Sequence, residues 1–212
     1  MSSANAMVLV AGTDRYHDLL AAGRALQDVL LGEGWVAPMH MGLDRFDDRK
    51  FSDAEVAVVY AMRPRPKQTA QDALTRRVEE GLGLVAIHSA NVVDDAEEFR
   101  TYTQLIGSRF NRHDPFDRLA VTIDQPDHPI TRGVADFTIE DEPYECDMLV
   151  DDAEVLASHK RGGKTLPMVY VRTHGKGRVC YLALGHDRRA WGHPAFQQLL
   201  RQATNWVAGY DG

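Results

Sequence analysis

The sequence predicts an α/β domain: a mainly parallel sheet with helices on both faces. Apolar runs and amphipathic stretches alternate through the first half as strand, helix, strand, strand, helix, strand. Parallel sheets with crossover helices produce that alternation. The run Leu84-Val85-Ala86-Ile87 is too short and too β-branched for a helix of its own and suits a buried strand. It stops at His88-Ser89, with Ala86 and Ala90 on either side. A strand followed by small-X-polar-X-small is the pattern of a strand-to-helix elbow, which lifts the central side chain above the sheet. Ligand crevices of open α/β sheets lie outside the carboxyl ends of the strands. His88 and Ser89 are therefore expected to face a site, with His88 on its rim in an unusual backbone conformation.

Taken in order, Met7 to Gly12 reads as the first strand, ending in a glycine turn. Leu19, Leu20, Ala22, Leu26, Val29 and Leu30 share one face of a helix over 17–33, closed by Gly32 and Gly34. Trp35 to Met39 fits a second strand, Asp44 to Asp53 a charged loop, and Ala54 to Met62 a third strand. Arg63-Pro64-Arg65-Pro66 breaks that strand, and a helix over 68–81 leads to the central one. The strands near Val8, Val58 and Val85 should then be adjacent and parallel through right-handed crossovers. Beyond the elbow, Asp94 to Ile106 reads as a helix with Phe99, Tyr102, Leu105 and Ile106 inward. Leu119 to Ile123 alternates as a half-exposed strand does, and Val155 to Ser158 suits another. Leu166–Arg172 and Arg178–Leu184, joined by Thr173-His174-Gly175-Lys176-Gly177, read as a hairpin. The last helix starts at Pro194, a residue suited to a first helical turn, with Phe196, Leu199, Leu200, Ala203, Trp206 and Val207 on its apolar side.

The chain of 212 residues is long enough for one sizeable core, so a single domain over 7–210 is expected. Residues 1–6 are small and polar and read as a disordered terminus or a cloning remnant. A net charge of −7 without a block of Lys or Arg argues against nucleic acid and anionic membrane as partners. No apolar run approaches a membrane span, and the N-terminus lacks the apolar stretch of a signal peptide. The only cysteines, Cys146 and Cys180, are far apart and without metal spacing, so a reduced, cytoplasmic setting is expected. The sequence leaves a homo-oligomer open.

Polar points fall at predicted strand ends or in the loops after them: His17, His88-Ser89, Asn111-Arg112-His113, Glu140-Asp141-Glu142-Pro143-Tyr144 and His186-Asp187. Singly, each suits a cap, a turn or a solvated loop. Together they gain weight, because a parallel sheet gathers such positions on one rim. Several imidazoles and a carboxylate there suit metal binding or general acid–base work. His40, His128, His159, His174 and His193 read as structural or surface residues.

Several blocks, in order over nearly the whole chain, carry a family resemblance. They are Gly83-Leu84-Val85-Ala86-Ile87-His88-Ser89-Ala90, then Leu105-Ile106-Gly107-Ser108-Arg109-Phe110 with His113, and His128-Pro129-Ile130-Thr131-Arg132-Gly133. Asp141-Glu142-Pro143-Tyr144, Gly175 to Tyr181, Leu184-Gly185-His186-Asp187 and Trp191 complete the set. With these the chain resembles the ThuA-like family, named for trehalose utilisation, within the class I glutamine-amidotransferase-like, flavodoxin-like fold. At the front only Tyr16-His17-Asp18 stands where the family often has two histidines around an acidic residue. Amidotransferases of this fold carry a cysteine between two glycines at the elbow; here His88 stands there between Ala86 and Ala90, so glutamine amidotransfer is not expected. The resemblance implies an enzyme of carbohydrate metabolism, a hydrolase, lyase or isomerase, acting on a sugar or an oxidised sugar derivative. The expected roles are His88 and Glu142 in acid–base catalysis, His17, Ser89, Asp141 and Tyr144 in binding the sugar, and His113 and His186 in binding the sugar or a divalent metal. The cofactor is open, a divalent metal such as zinc being one candidate. The rival readings are a non-catalytic carbohydrate-binding or regulatory module and a serine hydrolase acting through Ser89.

Overall fold

In a computed structural model, residues 4–12, 15–47 and 53–210 are described. Strand β1 (Ala6–Gly12) is enclosed by β2 (Met39–Met41) and β3 (Val56–Met62), both parallel to it. The β4 strand (Gly83–Ile87) lies parallel beside β3, and β11 (Gly177–Leu182) parallel beside β4. Register pairs Val8 with Val58 and Val58 with Val85, as the alternation predicted. The sheet then continues antiparallel through β10 (Lys164–His174), β9 (Glu154–Arg161), β6 (Asp117–Ile123) and β7 (Phe137–Asp141). This antiparallel extension is larger than the expected hairpin excursion. A separate two-stranded sheet pairs β5 (Ser108–His113) with β8 (Tyr144–Met148).

Helices α1 (Leu19–Gly32) and α5 (Pro194–Val207) pack together on one face, and α2 (Gln68–Glu80) and α3 (Arg100–Ile106) on the other. Two glycines let the layers close up. A Cβ on Gly83 would lie 2.5 Å from the Val207 carbonyl oxygen of α5, and one on Gly177 would lie 2.2 Å from that of Val78 in α2. The short helix α4 (Arg188–Trp191) precedes α5. Val8 to Val10, Val56 to Val59 and Leu84 to Ile87 are wholly buried, as a sheet covered on both faces requires. No helix among the described residues is long and apolar enough to cross a membrane.

Several boundaries differ from expectation for local reasons. The structure places Ala6 in β1 and bridges Asn5 to Val36, with Asn5 and Ala6 both within the stretch expected to be disordered; 1–3 lie outside the described residues. Helix α1 starts at Leu19 rather than at 17, because the Asp18 side chain caps it by accepting from the Ala21 N–H at 3.0 Å. The second strand is Met39–Met41, not Trp35–Met39. The expected loop at Asp44 to Asp53 begins with a 3-10 turn over Asp44–Asp47, and 48–52 lie outside the described residues. Helix α3 forms only from Arg100, because the Asp95 carboxylate accepts from the N–H groups of Glu97 and Glu98 and holds that segment in a turn. The β10–β11 connection shrinks to Gly175-Lys176, with Gly175 at φ +61°. The α5 face buries Thr204, while Trp206 is half-buried under the Arg178 guanidinium.

Candidate active site

The carboxyl ends of β1 and β3 and the segment after β4 border one cleft of about 890 Å³. Four side chains meet beside it, of which His17 and Glu142 line the cleft while His88 and His186 stand behind them. His17 follows β1, His88 follows β4, Glu142 follows β7, and His186 lies in the loop beyond β11. One potential ligand atom from each lies within 4.8 Å of those of the other three. Imidazole centroids are 4.7 Å apart for His17 and His186, and 5.4 Å apart for His88 with each of the other two.

His88 is held more tightly than a rim residue. Its φ is +49°, a left-handed conformation costly for a residue with a Cβ. The expected unusual backbone is present, but the side chain is 0 % exposed rather than standing on an open rim. The Tyr181 hydroxyl donates to the His88 carbonyl oxygen at 2.8 Å. The ring Nδ1 lies 2.8 Å from the Ala183 carbonyl oxygen, which can only accept. Nδ1 therefore carries a proton, and in the neutral ring the lone pair sits on Nε2. That atom faces Glu142 Oε2 at 3.4 Å and makes no hydrogen bond. The Tyr144 ring stacks on His88 at 4.2 Å and in turn meets Phe110 at 4.6 Å.

Glu142 sits where the edge strand β7 passes into β8, and Pro143 ends the ladder by lacking an N–H. Its Oε2 is 3.2 Å from His186 Nδ1, and its Oε1 is 3.8 Å from His113 Nε2. Burial works against its charge, but His186 and His88 outweigh that and hold the carboxyl well below the usual range. Burial likewise opposes a charged His186, yet Glu142, with Asp141 and Asp187, raises its pKa above the ordinary value.

The His186 loop is pinned from several sides. Asp141 accepts from the N–H of Gly185 at 2.7 Å, of Glu142 at 2.8 Å and of His186 at 3.2 Å. Tyr60 donates to the His186 carbonyl oxygen at 3.1 Å, and the Trp191 indole to that of Gly185 at 2.7 Å. Burial holds the Asp141 carboxyl above its ordinary value, against the pull of nearby His88 and those three backbone donors. Asp141 is wholly buried and engaged with backbone, so it stands behind the site rather than on its surface, where sugar binding was expected of it. Ser89 is also wholly buried and does not line the cleft; no imidazole bonds to its Oγ among the described residues.

His113 is half-exposed at the mouth, with Nδ1 against the Asp114 carbonyl oxygen. Tyr144 and His17 line the cleft, as do Arg15, Tyr16, Met62, Arg63, Val92 and Phe110, none of which was expected as a site residue. For Arg63 a signal existed, since a strand broken by Arg-Pro-Arg-Pro ends on the rim; the others come together only in three dimensions. His40, His128, His159, His174 and His193 lie outside the cluster. Burial raises both thiol pKa values, and neither Cys146 nor Cys180 lines the cleft.

Three imidazoles and a carboxylate whose ligand atoms lie within 4.8 Å of one another form a donor set suited to a divalent transition metal, and harder cations prefer all-oxygen shells. The Nδ1–H of His88 on a backbone carbonyl is the outer-shell support such ligands commonly have.

Comparisons with known proteins agree with this architecture. The family model ThuA, described as trehalose utilisation, matches residues 6–207. A ThuA-like protein from Bacteroides uniformis superposes with a TM-score of 0.82 at 21% identity, over 96% of this chain and 91% of that one. One from Parabacteroides merdae gives 0.82 at 16% identity, over 96% and 89%. A Thermoplasma acidophilum protein described as belonging to a GMP synthase gives 0.65 at 11% identity, over 99% and 96%. These likenesses show a shared α/β fold of the flavodoxin-like, glutamine-amidotransferase-like kind. No protein of curated function matches the sequence.

Proposed function

Because this chain belongs to the ThuA family, whose description places it in carbohydrate metabolism, we propose that it is a metal-assisted enzyme acting on a sugar or an oxidised sugar derivative. The observation that carries this reading is the convergence of His17, His88, His186 and Glu142. These four would hold a divalent ion such as zinc. A bound ion of this kind acts as a Lewis acid on a sugar oxygen and makes a bound water a stronger acid. The chain's own groups do the rest. Nε2 of His88, the ring being held by the Ala183 contact and covered by Tyr144, would be left free to bind the ion. Asp141, Tyr60 and Trp191 hold the backbone that carries His186. His113, at the mouth with Nε2 turned inward, accepts or returns a proton between the sugar and solvent. Tyr16, Phe110 and Tyr144 offer aromatic surface to the apolar face of a sugar ring.

A metal-free acid–base reading rests on the same pair, the Glu142 carboxyl held below its usual range and the His186 imidazole raised above its ordinary value. Metal analysis separates the two. Purified protein should carry close to one equivalent of a first-row divalent ion per chain, and His88→Ala and Glu142→Gln should lose it. Wild-type protein that stays metal-free after equilibration with zinc, nickel or manganese refutes the metal-assisted reading. A pH–rate profile with two limbs, both sensitive to Glu142→Gln, would then favour acid–base catalysis.

A further inference from the structure

The cleft is asymmetric in charge. On one side His17 and Glu142 of the histidine–glutamate cluster line it, and its wall carries two guanidinium groups, Arg15 and Arg63, although the chain as a whole has a net charge of −7. Arg63 is placed there by strain. Among the described residues only Arg63 and His88 have positive φ without being glycine, both at +49°. The Arg63 conformation is fixed by its N–H, which donates to the Val92 carbonyl oxygen at 3.1 Å across the cleft wall. Strained backbone of this kind persists where the surroundings enforce it, and it clusters at ligand clamps.

The nearest acid is not enough to neutralise this wall. Asp94 Oδ2 is taken by Arg65, at 2.7 Å from Nη2 and 3.2 Å from Nε. Arg63 reaches the same carboxylate only through Nε, at 3.5 Å. One carboxylate thus serves two guanidinium groups, and the exposed Arg63 side chain lines this cleft as well as the neighbouring one that holds Arg65 and Asp94. The Arg15 guanidinium lies over the Tyr16 ring at 4.7 Å, which orders it without cancelling its charge. A guanidinium fork matches carboxylate and phosphate oxygens in pairs. The cleft volume, about 890 Å³, suits a sugar-sized ligand spanning this wall and the side lined by His17 and Glu142.

Resting on the metal-assisted reading above, we propose that Arg63, aided by Arg15, anchors an anionic group of the sugar, a carboxylate or a phosphate, while its reacting carbon lies at the histidine–glutamate cluster. The substrate class is then an acidic sugar rather than a neutral one. The neutral Gln in place of Arg63 removes the fork while keeping the stem.

The test is calorimetric titration of zinc-equilibrated protein with D-glucuronate, glucose 6-phosphate and glucose. The anions should bind at least about tenfold more tightly than glucose, and added salt should narrow the gap. Arg63→Gln should abolish most of that preference, Arg15→Gln part of it, and both should bind zinc as the wild type does. Glucuronate above glucose 6-phosphate assigns a carboxylate, and the reverse order a phosphate. Equal binding of all three sugars, no anion binding in the millimolar range, or a preference that survives both substitutions overturns the proposal. In the last case the anion sits on the metal instead. If the protein binds no zinc yet keeps an Arg63-dependent preference for anions, the anchor stands and the metal-assisted reading falls.

Discussion

His88 combines two costs in one residue, a left-handed backbone and a wholly buried imidazole. Truncating it to Ala leaves a cavity and strands the Ala183 carbonyl oxygen. His88→Ala should therefore lose metal binding and also destabilise the fold by roughly 2–4 kcal/mol in urea melts. A solvent-exposed rim residue would have cost little, and unchanged stability would show that the ring is not enclosed. His88→Gly should recover about 1 kcal/mol over the Ala variant, because glycine adopts φ +49° without penalty. The Glu142–His186 pair sets a pH dependence for metal-free protein. The His186 pKa is raised in the folded state, so its contribution is complete below its ordinary value of 6.5 and fades as pH rises through the folded value. Glu142 is depressed, so its contribution is complete above its ordinary value of 4.5 and is lost as pH falls toward the folded value. The pair therefore stabilises most between those two values. Melting temperatures of chelator-treated protein should show both limbs flattened in Glu142→Gln; an unaltered profile in that variant would remove the pair from the account.

At the level of elements, the turn after β1 depends on Gly12. Its φ is +97°, and a Cβ there would stand 1.7 Å from the Met62 carbonyl oxygen at the end of β3. Gly12→Ala must push the two strand ends apart, just where they lead to His17 and Arg63. It should lower stability by more than about 2 kcal/mol and weaken zinc binding in the fraction that folds; a native-like melt would show that the ends separate freely. The parallel elements were legible in the sequence because their signals are local. Val56 to Val59 and Leu84 to Ile87 are uniformly apolar, and α2 ends at a glycine as expected. What escaped was decided by side chains or by distant pairing. Asp95 holds the predicted first turns of α3 in a non-helical turn. Strands β5 and β8 carry too many polar residues, Arg109, Asn111 and Arg112 against Glu145 and Asp147, to show either strand periodicity or an apolar run. Their mutual pairing makes them strands.

Across the whole molecule, the sheet joins two differently built halves. The parallel half delivers His17, His88 and His186, while the antiparallel half delivers Glu142. Asp141 is the staple between them, one carboxylate on three backbone N–H groups. An amide in its place has one acceptor oxygen and a donor that faces other donors. Asp141→Asn should thus cost about 1–3 kcal/mol and weaken zinc binding by about tenfold or more, though the residue would touch no ligand. Unchanged zinc affinity would mean that the loop holds its place unaided. The histidines were legible as candidates because each ends a strand or follows one. The cleft walls were not, since Arg15, Met62, Val92 and Phe110 become neighbours only when the sheet is complete. That completeness has a temporal side. The four cluster residues are drawn from the first strand's exit to the last strand's exit, so no nascent fragment ending before His186 can hold all four. An ion that needs all four cannot speed the search for the fold; it can only lock the finished product. Zinc should accordingly leave the refolding rate untouched and slow unfolding in proportion to its occupancy, so that a chelator acts as a timer on the lifetime of the native chain. Stopped-flow refolding and unfolding with and without zinc would register this, and an ion that accelerates refolding would mean that its ligands meet before the sheet is closed.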